Sequence, residues 1–190
     1  MLTQDQKKWI DHLSDKDKII IIPFDQTAEE KFQKIKQKIQ AILGKNIPIR
    51  HRGATSLGIS GQDEIDIYIP VSPTKFNILI KPLSNIFGQP KSFYPLERAR
   101  FVTEESGKHI DVFLINKKHA GWTNGVKFEK YLKSHPKSLE KYKKLKEDGN
   151  GLNVREYYRR KNEFINKILR KAHSIESYFF SKEIKKNKNF

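Results

Sequence analysis

The spacing of apolar residues alternates between helical and strand periods along the first part of the chain. Apolar residues recur every three or four positions over residues 3–14, 28–43 and 74–87, which predicts three helices. Between residues 64 and 71 isoleucines alternate with other residues, which predicts a strand with one apolar and one polar face. The same reasoning predicts strands at 18–24 and 47–52 and a hairpin with arms at 98–103 and 109–115.

Local signals predict where two of these helices begin, end or bend. Thr27 is placed to cap the helix at residue 28, and Glu30 follows three residues later, as in a capping box. Gly44 is expected to end that helix. Pro82 is expected to kink or break the helix over 74–87, because proline has no backbone N–H to donate.

After residue 116 the pattern becomes helical. Helices are predicted at 125–134, 136–147 and 153–173, followed by a frayed tail from about residue 182. The order of elements predicts an α+β fold, with a mixed sheet flanked by helices in residues 1–116 and a basic helical extension in residues 117–190. The extension is expected to pack on the sheet part as one compact unit.

The net charge of the chain indicates which class of binding partner it favours. The 190 residues include 38 Lys and Arg against 22 Asp and Glu, a net charge of +16, and the basic residues concentrate after Lys117. Such a surface favours RNA or another polyanion as a partner, although lysines interleaved with glutamates also simply solvate helix faces. The sequence leaves the oligomeric state open.

The chain contains no cysteine, which excludes disulfides, thiolate metal sites and a cysteine nucleophile. The polar start of the chain is unlike a signal peptide, and a cytoplasmic location is expected. No apolar run approaches the roughly 20 residues that a membrane span requires.

Three carboxylates are expected to converge on the polar face of the sheet. Glu64 and Asp66 alternate with isoleucines, and Asp111 lies between Ile110 and Val112 on a later strand. Clustered carboxylates repel one another unless a hard cation such as Mg²⁺ or Mn²⁺ lies between their oxygens. Each carboxylate taken alone is more commonly part of a solvated face.

A glycine-containing turn precedes the acidic strand. Gly53 allows the backbone to approach a phosphate, and the N–H groups and the hydroxyls of Thr55 and Ser56 are expected to donate to its oxygens. Arg52 adjoins the turn and adds positive charge. By itself a turn of this composition is usually an ordinary one.

In this order, the turn and the three carboxylates resemble the polymerase-beta-like nucleotidyltransferase superfamily, and within it the GrpB-like family is the closer match. The resemblance extends over residues 18–172 and is carried by Ile20 to Asp25, His51 to Leu57, Ile65 to Ile67, Lys127 to Pro136 and Tyr157 to Ile165. It implies a nucleotidyltransferase fold and a nucleotide as the bound substrate.

The sequence departs from the family pattern at three places. Gly53-Ala54 stands where glycine-serine is usual, with Ser56 kept. Glu64 replaces an apolar residue of many members, and Asp111 replaces a histidine. The last two changes bring the sequence closer to the full acidic triad of active nucleotidyltransferases.

The resemblance also implies that Tyr157 and Lys161 face the nucleotide, since positions four apart share one helix face. The alternative is a core tyrosine and a surface lysine. His51, His109 and His135 are candidate bases, but a structural role is the commoner one for a histidine.

The sequence therefore predicts a nucleotidyltransferase that transfers a nucleoside monophosphate from a nucleoside triphosphate, expected to be ATP, to an unidentified hydroxyl acceptor. Glu64, Asp66 and Asp111 would hold Mg²⁺ or Mn²⁺, and Asp111 would help to deprotonate the acceptor. The triphosphate would lie on Gly53 to Ser56 and near Lys161. The alternatives are a non-catalytic nucleic-acid-binding protein and a nucleotide-binding domain without turnover.

Overall fold

The computed structural model describes residues 1–187, with side chains described as far as residue 174. The elements in chain order are α1 (Gln4–Asp11), α2 (Ala28–Leu43), β1 (Arg50–Arg52), α3 (Gly53–Ser56), β2 (Glu64–Val71), α4 (Pro73–Phe87), β3 (Ser92–Tyr94), β4 (Arg98–Glu105), β5 (Lys108–Asn116), α5 (Ala120–Ser134), α6 (Pro136–Glu147) and α7 (Val154–Asn187).

The five strands form one mixed sheet in the order β1-β2-β5-β4-β3. β2 and β5 pair in parallel at its centre, and the other neighbouring strands pair antiparallel. The predicted hairpin is β4–β5, and its two turn residues, Ser106 and Gly107, both have positive φ (52° and 73°), as a type I′ turn requires. The predicted α+β fold with a mixed sheet flanked by helices is confirmed.

One face of the sheet forms the hydrophobic core with α2 and α4. The alternating apolar residues of β2 and β5 lie on this face and are fully buried: Ile65, Ile67, Ile69, Ile110, Val112 and Leu114. Phe32, Ile35 and Ile39 from α2 and Phe76 and Leu83 from α4 pack against them. Each such side chain contributes about 2 kcal/mol through burial. The alternation that buries this face turns the polar residues of the same strands to the other face.

Residues 18–24 do not form the predicted strand. They make isolated bridges at two positions, Lys18 with Asn153 and Ile22 with Gly61. The Ile22 N–H donates to the Gly61 carbonyl at 2.8 Å, and the Gly61 N–H donates to the Ile22 carbonyl at 3.1 Å. The β-branched run is therefore extended, but it meets a partner at single residues and no ladder develops.

α4 continues through Pro82, where a kink or a break was predicted. Proline leaves one carbonyl in the preceding turn without its usual donor, which here is that of Ile78. Ile78 is 69% exposed, so water can bond to this carbonyl in place of the missing N–H. The predicted break is therefore absent, because the affected side of the helix faces solvent.

The start of α2 is held by Asp25 in place of the predicted Thr27 capping box. Asp25 Oδ1 accepts hydrogen bonds from the Thr27 backbone N–H (2.8 Å) and hydroxyl (2.6 Å), and Oδ2 pairs with Lys31 at 2.9 Å. The bonds from Thr27 and Lys31 hold the pKa of Asp25 well below its ordinary value. This contribution to stability is present at neutral pH and is lost in strong acid, as the carboxylate is protonated.

The chain divides into two compact units, Met1–Ile20 with Asn124–Phe190, and Ile21–Thr123. The second unit contains the sheet. In the first unit α1 packs on α7: Trp9 meets Tyr158 edge-on at 5.0 Å between ring centroids, and the Arg155 side chain donates to the carbonyls of Leu13 (2.8 Å) and Asp11 (3.0 Å).

The helices predicted after residue 116 are present as α5, α6 and α7. The last continues to Asn187, past the residue at which a frayed tail was predicted, and residues 188–190 of that tail lie outside the described residues. Among the helices described, none is both long and apolar enough to cross a membrane.

Lys108 is a buried cation that joins β5 to two other segments. Its Nζ pairs with Asp63, just before β2, and with Asp25 at 3.4 Å, and only 6% of the residue is exposed. We expect Lys108→Met to lower the free energy of unfolding by about 2 kcal/mol, because two carboxylates lose their shared partner. Urea titration monitored by circular dichroism measures this loss.

The matched control is Lys144→Met. Lys144 pairs with Asp148 at the same 3.4 Å distance, but its side chain is 77% exposed. This variant is expected to unfold at nearly the wild-type urea concentration, since exposed ion pairs contribute little. Equal losses of unfolding free energy in the two variants would show that burial does not determine how strongly the ion pairs of Lys108 stabilise the protein.

Candidate functional site

Arg52, Asp66 and Asp111 lie side by side on the polar face of the sheet. Arg52 is the register partner of Asp66 across β1 and β2, and Asp66 is the register partner of Asp111 across β2 and β5. Directly opposite residues of neighbouring strands project from the same face. The structure therefore brings together two of the three predicted carboxylates and the arginine next to the turn.

Asp111 is 4% exposed and has two basic neighbours. Arg100 Nη2, from β4, lies 2.9 Å from Asp111 Oδ1, and His109 Nε2 lies 3.0 Å from the same oxygen. These contacts offset the repulsion between Asp111 and Asp66. Both contacts involve Oδ1 of Asp111, and neither involves its Oδ2. His109, a candidate base in the sequence, is thus in contact with a carboxylate of the site.

Glu64 lies on the same strand face as Asp66 and is the register partner of His109. Among the residues that the structure describes, no group of three His, Asp or Glu side chains is arranged to hold a metal ion. Asp66 and Asp111 supply two carboxylates, which fits a Mg²⁺ ion that takes its other ligands from phosphate and water, its usual mode in nucleotide sites. The protein alone does not form a metal cage here.

The turn that follows β1 lies directly against Asp66. Gly53 opens it with a φ of +75°, a conformation that side chains other than glycine rarely adopt. A Cβ atom at Gly53 would also collide with Asp66 Oδ2. Any group bound to the backbone of this turn would therefore lie next to the Asp66 carboxylate.

The two hydroxyls of the turn are engaged within the protein. Thr55 Oγ1 lies 2.9 Å from His51 Nε2, and the Ser56 hydroxyl donates to the Gly53 carbonyl at 3.0 Å. In this arrangement they fix the shape of the turn. The first N–H groups of a helix have no acceptor within that helix, so those of Gly53 to Ser56 are candidate donors to a phosphate.

His51 connects the turn to α2. Its Nδ1 lies 3.0 Å from Glu29 Oε2, and its ring stacks on Phe32 at 4.8 Å between centroids. Partial burial raises the pKa of Glu29, but hydrogen bonds from Gln33 and His51 outweigh it, and the pKa lies below its ordinary value. A carboxylate beside Nδ1 favours a proton there, which leaves Nε2 to accept from Thr55. The contacts of His51 are those of a structural residue.

Aromatic rings hold the Arg52 side chain in place. Its guanidinium lies 5.4 Å from the centroid of Tyr68 and 5.0 Å from that of Trp122, and Tyr68 stacks on Phe113 at 4.6 Å. Arg52 is 8% exposed and, like arginine generally, stays charged when buried. Its charge is therefore fixed beside Asp66.

Tyr157 and Lys161 belong to the other compact unit. Tyr157 is fully buried, and its hydroxyl accepts a hydrogen bond from Lys146 Nζ at 3.2 Å. Lys161 Nζ lies 5.1 Å from the centroid of Tyr158. Tyr157 has the surroundings of a core residue, and contact of either residue with a nucleotide stays a prediction.

His135, the third candidate base, also belongs to this other unit. Its ring stacks on Tyr131 at 3.9 Å between centroids, and its Nδ1 lies 2.9 Å from the Tyr131 carbonyl oxygen. These are structural contacts.

Arg100 is a site residue that the sequence did not indicate. It reaches Asp111 because β4 and β5 pair with Phe113 opposite Arg100. Only the register of the hairpin could have indicated this contact, since the sequence pattern identifies both arms without fixing how they align.

The chain is similar to known proteins over most of its length. The model of the GrpB protein family matches residues 18–171. A solved structure, the crystal structure of conserved protein GrpB from Enterococcus faecalis, superposes with a TM-score of 0.64 over 84% of this chain and 99% of that chain, at 20% sequence identity. At this identity the structural likeness shows a shared fold. No curated protein matches the sequence.

Proposed function

The chain belongs to the GrpB family, which lies in the nucleotidyltransferase-like superfamily, and from this premise we propose that it is a Mg²⁺-dependent nucleotidyltransferase. It would transfer a nucleoside monophosphate from ATP to a hydroxyl acceptor. One observation carries the proposal: Asp66 and Asp111 are register partners on adjacent strands, and the Gly53 backbone lies against the Asp66 carboxylate.

The triphosphate would bind to the backbone N–H groups of Gly53 to Ser56, with the fixed charge of Arg52 close by. Asp66 and Oδ2 of Asp111 would hold Mg²⁺, or Mn²⁺ in its place. When bound, the ion neutralises phosphate charge. Glu64 lies on the same face and would act on this site through its charge.

In the proposed reaction an acceptor oxygen forms a bond to the α-phosphorus, and the bond from that phosphorus to the oxygen of the β-phosphate breaks. Pyrophosphate leaves with the electron pair of the broken bond. The proton of the acceptor hydroxyl passes to the Asp111 carboxylate, from which His109, 3.0 Å away, provides a route towards solvent. The net charge of +16 favours RNA or another polyanion as the acceptor.

The test is to incubate the protein with ATP labelled in the α-phosphate, Mg²⁺ and a cell lysate as the source of acceptors. Labelled product and pyrophosphate are expected in equal amounts, and neither should form when EDTA removes the metal. Binding of ATP without any release of pyrophosphate would overturn the proposal of transfer.

A second candidate function is nucleotide binding without turnover. The contacts of Arg100 and His109 with Asp111 favour it, because they already neutralise one of the two carboxylates without a metal. Calorimetry with ATP separates the candidates. Tight binding that does not depend on Mg²⁺, together with absent pyrophosphate release, supports the second function, whereas binding that requires Mg²⁺ supports the first.

A further inference from the structure

A concave surface lies in the sheet-containing unit, at the edge where β1 begins and β2 ends. It is a cavity of about 620 Å³, a volume that suits a small ligand. Its apolar lining includes Leu43, Ile47 and Val71, and its polar lining includes Arg50, Lys75 and Lys117. One further lining residue, Trp122, also packs on Arg52 of the site proposed above, but the inference does not depend on that proposal.

The charge of the cavity has one sign. Its lining contains three basic side chains and, among the described residues, no acidic one. Nor does the described part of the chain provide an ion-pair partner for Arg50, Lys75 or Lys117. Three cations around one concavity repel one another, and an anion placed among them removes that cost.

Two of the basic residues, Lys75 and Lys117, lie at the start of α4 and directly after β5. Lys117 directly follows β5, and its N–H donates to the Val71 carbonyl at 2.8 Å, which anchors it at the end of β2. Lys75 lies in the first turn of α4, which contains no acidic residue. The positive end of the α4 dipole therefore adds to the charge of the lysines.

Trp122 gives the cavity an aromatic wall. The ring is half-buried and is held on one side by the Arg52 guanidinium, 5.0 Å from its centroid, and by Tyr68 at 6.0 Å. A tryptophan ring held in this way can stack on a nucleobase, an interaction of about 1–3 kcal/mol per base. An inorganic anion has no ring that could stack on Trp122, so the aromatic wall favours a ligand with a base.

We propose that this cavity binds a nucleoside phosphate, with the phosphate among Arg50, Lys75 and Lys117 and the base on Trp122. The ligand would be either a free mononucleotide or one nucleotide of a single strand, since both present the same chemistry. The site is separate from the turn at Gly53: Val71 lies five residues beyond Asp66 along β2, about 17 Å at the rise of a strand.

The chain contains two tryptophans, Trp9 and Trp122, so a Trp9→Phe variant reports on Trp122 alone. We expect AMP or a single-stranded oligoadenylate to quench this fluorescence saturably, and inorganic phosphate to leave it unchanged. Quenching by AMP would show that a free nucleotide is sufficient for binding. Quenching by the oligoadenylate but not by AMP would show that the ligand is a single strand. Absence of saturable quenching with both probes would overturn the proposal.

Reversing the charge of two lining lysines provides a second test. In the Trp9→Phe background, Lys75→Glu with Lys117→Glu is expected to weaken binding of the quenching probe at least about 10-fold. Lys81→Glu is the matched control, because Lys81 is an exposed lysine of the same helix that does not line the cavity. An equal loss for Lys81→Glu would mean that general charge explains the binding. The readout does not include pyrophosphate, and quenching that survives Lys75→Glu with Lys117→Glu would assign the nucleotide to the turn beside Arg52 and overturn the proposal.

Discussion

Replacing Asp66 with asparagine is expected to reduce pyrophosphate release at least about 100-fold, or about 2.7 kcal/mol, while the protein stays as stable as the wild type or becomes slightly more stable. Asp66 and Asp111 are register partners on neighbouring strands, so two like charges lie side by side. Arg100 and His109 beside Asp111 offset only part of the repulsion between the two carboxylates. Asparagine keeps the shape of the side chain and removes both the repulsion and the charge that would hold the metal.

The measurement is the rate of pyrophosphate release together with thermal unfolding of the same samples. Asp148→Asn is the control, because the side chain of Asp148 is 57% exposed and pairs only weakly with Lys144. It should leave both quantities unchanged. If Asp66→Asn lowered the melting temperature and kept full activity, Asp66 would be a structural residue and the proposed site would be wrong.

Gly53→Ala is expected to lower the free energy of unfolding by about 2 kcal/mol and to abolish binding of ATP to the turn. Two effects contribute. The φ of +75° strains any residue that has a Cβ, and the added methyl group would collide with Asp66 Oδ2. The collision must move either the turn or the carboxylate, and both belong to the proposed site.

Gly88→Ala separates these two effects. Gly88 has nearly the same φ, +78°, but a Cβ there would meet no described heavy atom within 4 Å. Gly88 combines this φ with a ψ of −172°, so the control should lose about 1–3 kcal/mol from backbone strain alone and bind ATP as the wild type does. Urea unfolding and calorimetry with ATP measure the two quantities. Equal losses of stability, with unchanged ATP affinity in both variants, would show that the turn tolerates a side chain.

The sequence predicted best those elements whose signals are local. α2 occupies residues 28–43 as predicted, because its apolar spacing and Gly44 at its end act within the element itself. Residues 18–24 have a similarly clear strand signal, but a strand also requires a partner, and only single bridges are available there. Pro82 illustrates the same limit, because its effect depended on the exposure of Ile78 one turn earlier.

The residues of the candidate site also divide into those that local sequence signals predict and those that depend on distant partners. Alternation along β2 placed Asp66 on the polar face without any knowledge of the neighbouring strands. The approach of Arg100 to Asp111 depends on the register of β4 against β5, and the packing of Trp122 on Arg52 depends on a helix that follows the sheet. Contacts of this kind depend on how distant segments of the chain pair. The spacing of apolar residues in one sequence does not reveal that pairing.

The central parallel pairing of β2 with β5 has a consequence for the order of events in folding. The β4–β5 hairpin closes over two residues and can form early, whereas β2 must find β5 across the intervening α4, β3 and β4. Pairing between distant segments is slow, because loop closure must precede the contacts that reward it. Asp66 and Asp111 become neighbours only in this late step. Refolding chains should therefore regain strand signal in circular dichroism before they regain the capacity to bind ATP.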